Sequence, residues 1–338
     1  WNIDYSDTEA LSDLVEKEGF DYLVPGCTDR SYKSCAVVSQ GRFPGIESPD
    51  IEHGMHNKEK FRAIAEKLNL PIPETQNHNS KSLDYPVIIK PVDSFSGRGI
   101  TVIKNHNKRL LDSAIKLARK NSATEEYLLE KFVSGELYSH SAFLKNKTAI
   151  KNFFVKEDST VNSFVVDTSR VIFSPPPEMR RQIINAVEKL ARYLRLKDGL
   201  IHSQFIWDGC NIYLIDRNRR IAGDLYSQLI ELSTGYPYVE NYVRPFLDMP
   251  YKNIEDSDTR IPIMRHTVSV SKEQNFNHIS FKESLFLESW VALSSAGDQI
   301  KASPDGSVGI LFARANSQAD LLSLYEATIR RQLYEVVG

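Results

Sequence analysis

The sequence predicts an α/β start followed by α+β organisation built on antiparallel sheets. Short apolar strands alternate with amphipathic helices early in the chain, and pairs of strands joined by tight turns dominate the middle. The tail from about residue 250 mixes strands with one last helix. At 338 residues the chain should hold two or three packed units rather than one core. Hydrophobic content of 41% with 25% charged residues is ordinary for a globular protein. A formal net charge of −2 and the lack of a long Lys/Arg cluster argue against a nucleic-acid partner. No apolar stretch approaches the roughly 20 residues that span a bilayer, and "WNIDYSDTEA" carries no signal-peptide pattern. Cys27, Cys35 and Cys210 are too few and too irregularly spaced for a disulfide framework or a zinc site. They read as reduced thiols, a Cys27–Cys35 bridge being the alternative, and the expected location is cytoplasmic.

The elements follow from local pattern. "DTEALSDLVEKEGF" has helical spacing of Leu11, Leu14 and Val15, with Ser6 or Asp7 as N-cap. "DYLVPGC" reads as a short buried strand ending in a turn. Asn57 caps "KEKFRAIAEKLNL", whose Phe61, Ile64, Ala65 and Leu68 share a face, and "PIPET" stops it. "YPVIIKPVDSFSGRGI" is a β-branched strand running into a loop, followed by strand "GITVIK", a helix at about 108–121 and "EYLLEKF". "ELYSHSAFLKN" and "TAIKNFFVKED" are strands. "PPPEMRRQIINAVEKLARYLRLKDG" is a helix with prolines before it and glycine after. In "LIHSQFIWDGCNIYLIDRN", Asp208-Gly209 signals a hairpin. A helix near 222–234 ends at Gly235, and "SQADLLSLYEATIRRQLYEVV" reads as the last helix.

Three stretches could carry chemistry. The first is the loop after the strand at 85–89, where Ser94, Ser96, Gly97 and Gly99 leave the backbone almost uncovered between Lys90 and Arg98. Consecutive amides there can form an anion-binding nest, and a lysine ending a buried strand needs an anion or solvent. A surface loop is the competing reading, since neither a dinucleotide fingerprint nor a phosphate-loop motif fits. The second is the hairpin. His202 and Gln204 share one face of its first strand; Asp216, Asn218 and Arg220 share one face at the end of the second. Gln204, Asp216 and Asn218 offer oxygen ligands that suit Mg²⁺, and a merely solvated strand end is the alternative. The third is "YLLEKFVSGE", with Glu130 ending an apolar strand and Glu136 beyond a Ser-Gly pair, which fits a nucleotide-reading linker or an ordinary crossover.

In order and spacing, "NKEKFRAIAEKLNLPIP", "YPVIIKPVDSFSGRGI", "LLEKFVSGE" and "HSQFIWDGCNIYLIDRNRR" resemble the ATP-grasp superfamily over about residues 20–248. The style is that of carbamoyl-phosphate synthetase large chains and biotin carboxylase, and D-alanine–D-alanine ligases share the same run of elements. The resemblance implies an ATP-grasp fold: an incomplete N-terminal α/β (pre-ATP-grasp) unit at 1–75, since no strand precedes the first helix, and two α+β subdomains, 76–132 and 133–248, enclosing the nucleotide. A C-terminal α+β extension, 249–338, matches no member.

It further implies ATP with Mg²⁺, or Mn²⁺ in its place. Lys58 and Lys90 would contact the nucleotide, and Ser94, Ser96, Gly97, Arg98 and Gly99 would close over its phosphates. Glu130 with the backbone of Lys131, Phe132 and Val133 would meet the adenine, and Glu136 the ribose. Gln204, Asp216 and Asn218 would hold the metal. Asp216 stands where glutamate is usual, and Gln204 where an acid or glutamine is found. Arg220, Lys90 and Arg98 would be the catalytic cations, Arg220 holding a carboxylate or acyl phosphate. Asp29 and Arg30 of "TDRSY" either face substrate or form an exposed loop ion pair, and His202 either contacts substrate or faces solvent. The implied activity is carboxylate–amine ligation through an acyl phosphate, acting on small molecules, as a monomer or homodimer. A carbamoyl-phosphate-synthetase- or carboxylase-like partial reaction with a partner subunit, and a non-catalytic ATP-binding regulatory module, are the alternatives.

Overall fold

In the computed structural model, which describes residues 1–80, 82–94, 97–252, 255 and 259–338, the first four helices start where a short polar side chain satisfies a free amide. Asp7 accepts from Ala10 N ahead of α1 (Thr8–Glu18), and Thr28 from Ser31 N ahead of α2 (Asp29–Ser39). Ser48 does so for α3 (Pro49–His56) and Asn57 for α4 (Lys58–Lys67). Such caps contribute about 1 kcal/mol each. Asn57 ends α3 and begins α4, so the two helices meet at a single residue. The strand expected at 21–27 does not form: Pro25 and Gly26 interrupt it, and the Pro25 carbonyl accepts instead from the Tyr242 hydroxyl at 3.0 Å. Helices α2 and α3, which the sequence pattern did not reveal, follow it.

Strands β1 (Val87–Pro91), β2 (Thr101–Ile103) and β3 (Tyr127–Lys131) form an antiparallel sheet in the order β2-β1-β3. Val87, Ile89, Ile103 and Leu129 pack on Leu111, Ala114 and Ala118 of α5 (Lys108–Lys120). The next elements are β4 (Glu136–Lys145), β5 (Thr148–Asp158), β6 (Thr168–Val171) and α6 (Pro177–Leu194). They are followed by β7 (Gly199–Trp207), β8 (Ile212–Asn218), α7 (Tyr226–Thr234) and α8 (Tyr238–Val243).

The chain divides into two compact units. The first comprises Trp1–Phe153, Ser174–Ser227 and Pro237–Asp256. Within it β7 pairs with both β4 and β8, all antiparallel. The β7–β8 hairpin turns at Asp208-Gly209 as expected: the Asp208 carboxylate accepts from the amides of Cys210 and Asn211, and Gly209 has φ +101°. Its register sets Gln204 opposite Asp216 and His202 opposite Asn218.

The second unit comprises Phe154–Phe173, Gln228–Tyr236 and Ser257–Gly338. It adds β9 (Ile263–Val268), β10 (Gln274–Asn275), β11 (His278–Phe281), β12 (Phe286–Ala292), β13 (Gln299–Ile300), β14 (Gly309–Arg314), α9 (Gln318–Ile329) and β15 (Tyr334–Val337). β6 pairs with β9, β9 with β14 and β14 with β12, over a core that includes Met264, Leu311, Leu321 and Tyr325. The last helix stops at Ile329 rather than running to Val337. Arg331 adopts φ +59°, Leu333 is buried, and the chain returns to pair β15 with β11.

Candidate functional site

The end of β1 meets the end of β3 through charge. Glu130 sits opposite Ile88, so Lys90, two residues further along β1, projects on the same face as Glu130. Glu130 is fully buried; its Oε2 pairs with Lys90 Nζ, and its Oε1 accepts from Arg62 Nε of α4 at 2.5 Å. Burial alone would raise the Glu130 pKa, but Lys90 and Arg62 outweigh it and hold the carboxyl below its ordinary range. Burial lowers Lys90 to about 8, against the opposing pull of Glu130. Both carboxylate oxygens of Glu130, expected at the adenine, are thus occupied by cations.

Lys58, the first residue of α4, reaches the same region. Its backbone N–H donates to the Val92 carbonyl at 3.1 Å, and its Nζ donates to the Ser94 carbonyl at 3.0 Å. Helix α4 therefore anchors the loop that follows β1. Gly97 and Gly99 take left-handed φ of +69° and +74°. At Gly99 a Cβ would come within 2.8 Å of Asn121 and 2.9 Å of Pro91, so a side chain is excluded there. Arg98 between them is exposed. Ser96 lies outside the described residues.

At the hairpin end, Asp216 is surrounded by cations. Burial opposes its ionisation, but Lys58, Arg217, His56 and Arg220 together hold its pKa below the usual value. Turned so that its amide nitrogen faces acceptors, Asn218 donates to the Arg217 carbonyl at 3.0 Å and to Asp29 Oδ1 at 3.1 Å. Its oxygen then lies on the side of Asp216 Oδ2, 3.5 Å away. Arg217 points elsewhere: its guanidinium lies over the Phe61 ring, and one Nη donates to the Asn57 carbonyl at 3.3 Å.

Arg220 Nε donates to Asp29 Oδ1 at 2.5 Å, and His56 Nδ1 lies 3.9 Å from the same oxygen. Asp29 therefore pairs across the fold with Arg220, not with its neighbour Arg30, which is exposed on α2. These residues line a small cavity of about 20 Å³, which α3 closes with Glu52 and His56. His202 is buried rather than solvent-facing, bonded to the Ser141 hydroxyl at 2.9 Å and packed edge-on against Tyr226. Burial, then Arg220, lowers its pKa to about 4, so it is neutral near pH 7.

The linker after β3 is arranged differently. The amides of Lys131 and Phe132 donate to the carbonyls of Glu74 and Pro86 at 2.9 and 2.8 Å, and the Lys131 side chain pairs with Asp84. Val133 is half-buried, and Glu136 is exposed, accepting from the Tyr138 hydroxyl at 2.7 Å. The sequence reading passed over Arg62, Glu52, His56 and Arg217. Only Arg62 left a signal: it stands four residues after Lys58, on the same helix face. Among the described residues no group of three or more His, Cys, Asp or Glu could hold a metal ion by itself.

The family model described as the ATP-grasp domain matches residues 83–228, from the lead-in to β1 through the hairpin and the start of α7. Residues 83–228 are an ATP-grasp domain. The chain is 23% identical over 222 residues to the carbamoyl phosphate synthase large chain of Clostridium acetobutylicum, covering 63% of this chain and 20% of that protein. It is 26% identical over 259 residues to the arginine-specific large chain of Bacillus subtilis, covering 68% and 24%. This chain thus spans about a quarter or less of the length of these relatives. Among solved structures it resembles an L-amino acid ligase from Bacillus licheniformis with TM-score 0.78 at 18% identity, over 98% of this chain and 86% of that one. Phosphoribosylglycinamide synthetase from Anaerococcus prevotii gives 0.73 at 14% identity, over 100% and 88%. These likenesses establish the ATP-grasp fold. Lys58, Arg62, Asp29 and Glu52 precede the matched ATP-grasp residues in sequence, yet packing brings them against Ser94, Glu130, Arg220 and Asn218.

Proposed function

We propose that this chain binds Mg·ATP and joins a carboxylate to an amine through an acyl phosphate, releasing ADP and phosphate. The observation that carries the reading is the convergence of Lys58 with the loop after β1 and with Asp216 of the hairpin. Cations for a polyphosphate and oxygen donors for a hard cation thereby adjoin one another. The donor set fits that role: Asp216 is held ionised, and the Asn218 oxygen faces it. With a single carboxylate among Gln204, Asp216 and Asn218, Mg²⁺ would need substrate phosphates to complete its ligands, and would supply charge neutralisation at the transferred phosphoryl group.

In this reading Lys58 and Lys90 orient the phosphates, and the loop from Ser94 to Gly99 with Arg98 covers them. Arg220, its position set by Asp29, holds the attacking carboxylate. The backbone around Lys131 to Val133 and the Glu136 carboxylate receive base and ribose. Positioning and charge stabilisation do the catalysis, so no protein nucleophile is needed. The substrates are small molecules, and the chain acts as a monomer or homodimer. The test is release of ADP and phosphate from ATP across pools of carboxylic acids and amines. AMP and pyrophosphate as products would overturn the mechanism, and no melting shift with Mg·ATP would overturn nucleotide binding.

A second reading draws on the large-chain relatives: an ATP-dependent partial reaction completed by a partner subunit. It is separated from the first by ADP release that depends on bicarbonate alone and is unaffected by any added organic acid.

A further inference from the structure

Glu130 is held by backbone on both sides of its strand. It lies opposite Ile88 of β1, and on the other side it forms an isolated bridge with Thr75. Around that bridge the amides of Gln76 and Lys131 donate to the carbonyls of Leu129 and Glu74 at 2.8 and 2.9 Å. The buried Glu130 carboxylate thus stands on a rigid support between two cations, Arg62 on Oε1 and Lys90 on Oε2. Arg62 is 2% exposed, and both of its Nη atoms are buried without a hydrogen-bond partner. A guanidinium has five N–H donors. Among the described residues, this one makes its hydrogen bond through Nε alone, to Glu130. A buried ion pair with donors left over is a poor source of stability, so stability does not account for this one.

We propose that Arg62 and Glu130 are positioning residues: Arg62 fixes the Glu130 carboxylate, and Glu130 fixes the Lys90 ammonium for the nucleotide phosphates. The inference rests on the Mg·ATP reading above and gives the Glu130 side chain a task other than reading the base. An ammonium has three donors, and the pairing with Glu130 leaves some of them for phosphate oxygens. Two buried cations on one carboxylate also leave positive charge in excess, which an anion would balance. Burial lowers the Lys90 pKa most; Glu130 of β3 raises it, while Arg62 and Lys58 of α4 lower it further. Arg217 of β8 interacts electrostatically with both Arg62 and Glu130. Arg62 and Glu130 therefore act on the charge of Lys90 in opposite senses, although together they hold it in place.

That opposition supplies the test. The titration of Lys90 is followed by NMR of isotopically labelled lysine in nucleotide-free protein, with Lys90→Arg assigning the signal. Glu130→Gln should move the Lys90 pKa below about 8 and Arg62→Gln above it, each by about one pH unit or more. ATP and AMP affinities are measured alongside at pH 7, where Lys90 is charged in wild type and in Arg62→Gln. ATP affinity should fall about tenfold in Arg62→Gln while AMP affinity holds, because the cation is present but no longer fixed. Arg62→Gln leaves the Lys90–Glu130 pair matched, so its result stands even where Glu130→Gln does not fold. A Lys90 pKa that stays or falls in Arg62→Gln, or an ATP affinity that holds, would overturn the assignment. Failure of wild type to bind any nucleotide would refute the Mg·ATP reading, and the NMR titration would still decide whether Arg62 and Glu130 set Lys90.

Discussion

The guanidinium carbon of Arg217 lies 3.5 Å from the centre of the Phe61 ring, joining the hairpin end to helix α4 inside the first unit. Arg217 is 1% exposed and Phe61 fully buried, so a desolvated cation rests on an aromatic face. Phe61→Leu keeps the apolar volume roughly but removes the face. The expected loss is about 1–2 kcal/mol of stability, read by denaturant midpoint. Because Arg217 separates Asp216 from Asn218, the same variant should weaken Mg·ATP binding more than Mg²⁺-free AMP binding. Equal loss for both nucleotides would show that the stack serves stability alone.

Asp216→Asn tests the hairpin end directly. The substitution keeps the size and removes the formal negative charge from the proposed metal set. At about 1.36 kcal/mol per tenfold and several kcal/mol for metal-ion charge stabilisation, turnover should fall on the order of a hundredfold or more. ATP affinity should fall much less, since base and ribose are proposed to be held elsewhere. Turnover, affinity and melting temperature measured side by side decide it. Near-normal turnover would remove Asp216 from the metal site.

Lys90 brings a pH dependence on the alkaline side. Its folded pKa of about 8 lies below the ordinary 10.5, so the unfolded chain binds the extra proton between those values. Its cost to stability is therefore full below about pH 8 and relieved as pH rises towards 10.5. For ligand binding the sign is opposite: losing the cation would weaken the hold on phosphate proposed for Lys90. ATP affinity should decline as pH rises through about 8, AMP affinity should decline much less, and the difference should vanish in Lys90→Gln. Calorimetric titration across pH 7–9.5 is the check. Parallel profiles for ATP and AMP would mean that Lys90 does not meet the distal phosphates.

His140 governs an acid-side response. It is fully buried on β4, its Nε2 bonded to Asn152 Oδ1 at 2.8 Å, and burial lowers its pKa from 6.5 to about 4. The unfolded chain takes up a proton first as the pH falls, so stability is lost between pH 6.5 and 4. His140→Gln should reduce the slope of stability against pH in that window by up to about 1.4 kcal/mol per pH unit. An unchanged slope would show that His140 is already protonated in the fold.

Periodicity and turn chemistry were enough to read the strand and loop at 85–100, the Asn57 cap, α6 and the Asp208-Gly209 hairpin, because each is decided by neighbours within a few residues. The order of motifs was likewise enough to point to the ATP-grasp fold. Short-range pattern failed where distant packing wins. Residues 21–27 look like a strand, but Pro25 removes a ladder donor and its carbonyl is taken by Tyr242. The last helix ends early because Leu333 is drawn into the core and β15 finds β11. The partners of the site residues were out of reach for the same reason. Arg62 meets Glu130, Arg220 meets Asp29 and Arg217 covers Phe61 across separations of 68, 191 and more than 150 residues. No local pattern encodes which buried cation will face which carboxylate. Desolvation makes those choices only once the helices and the hairpin have closed around them.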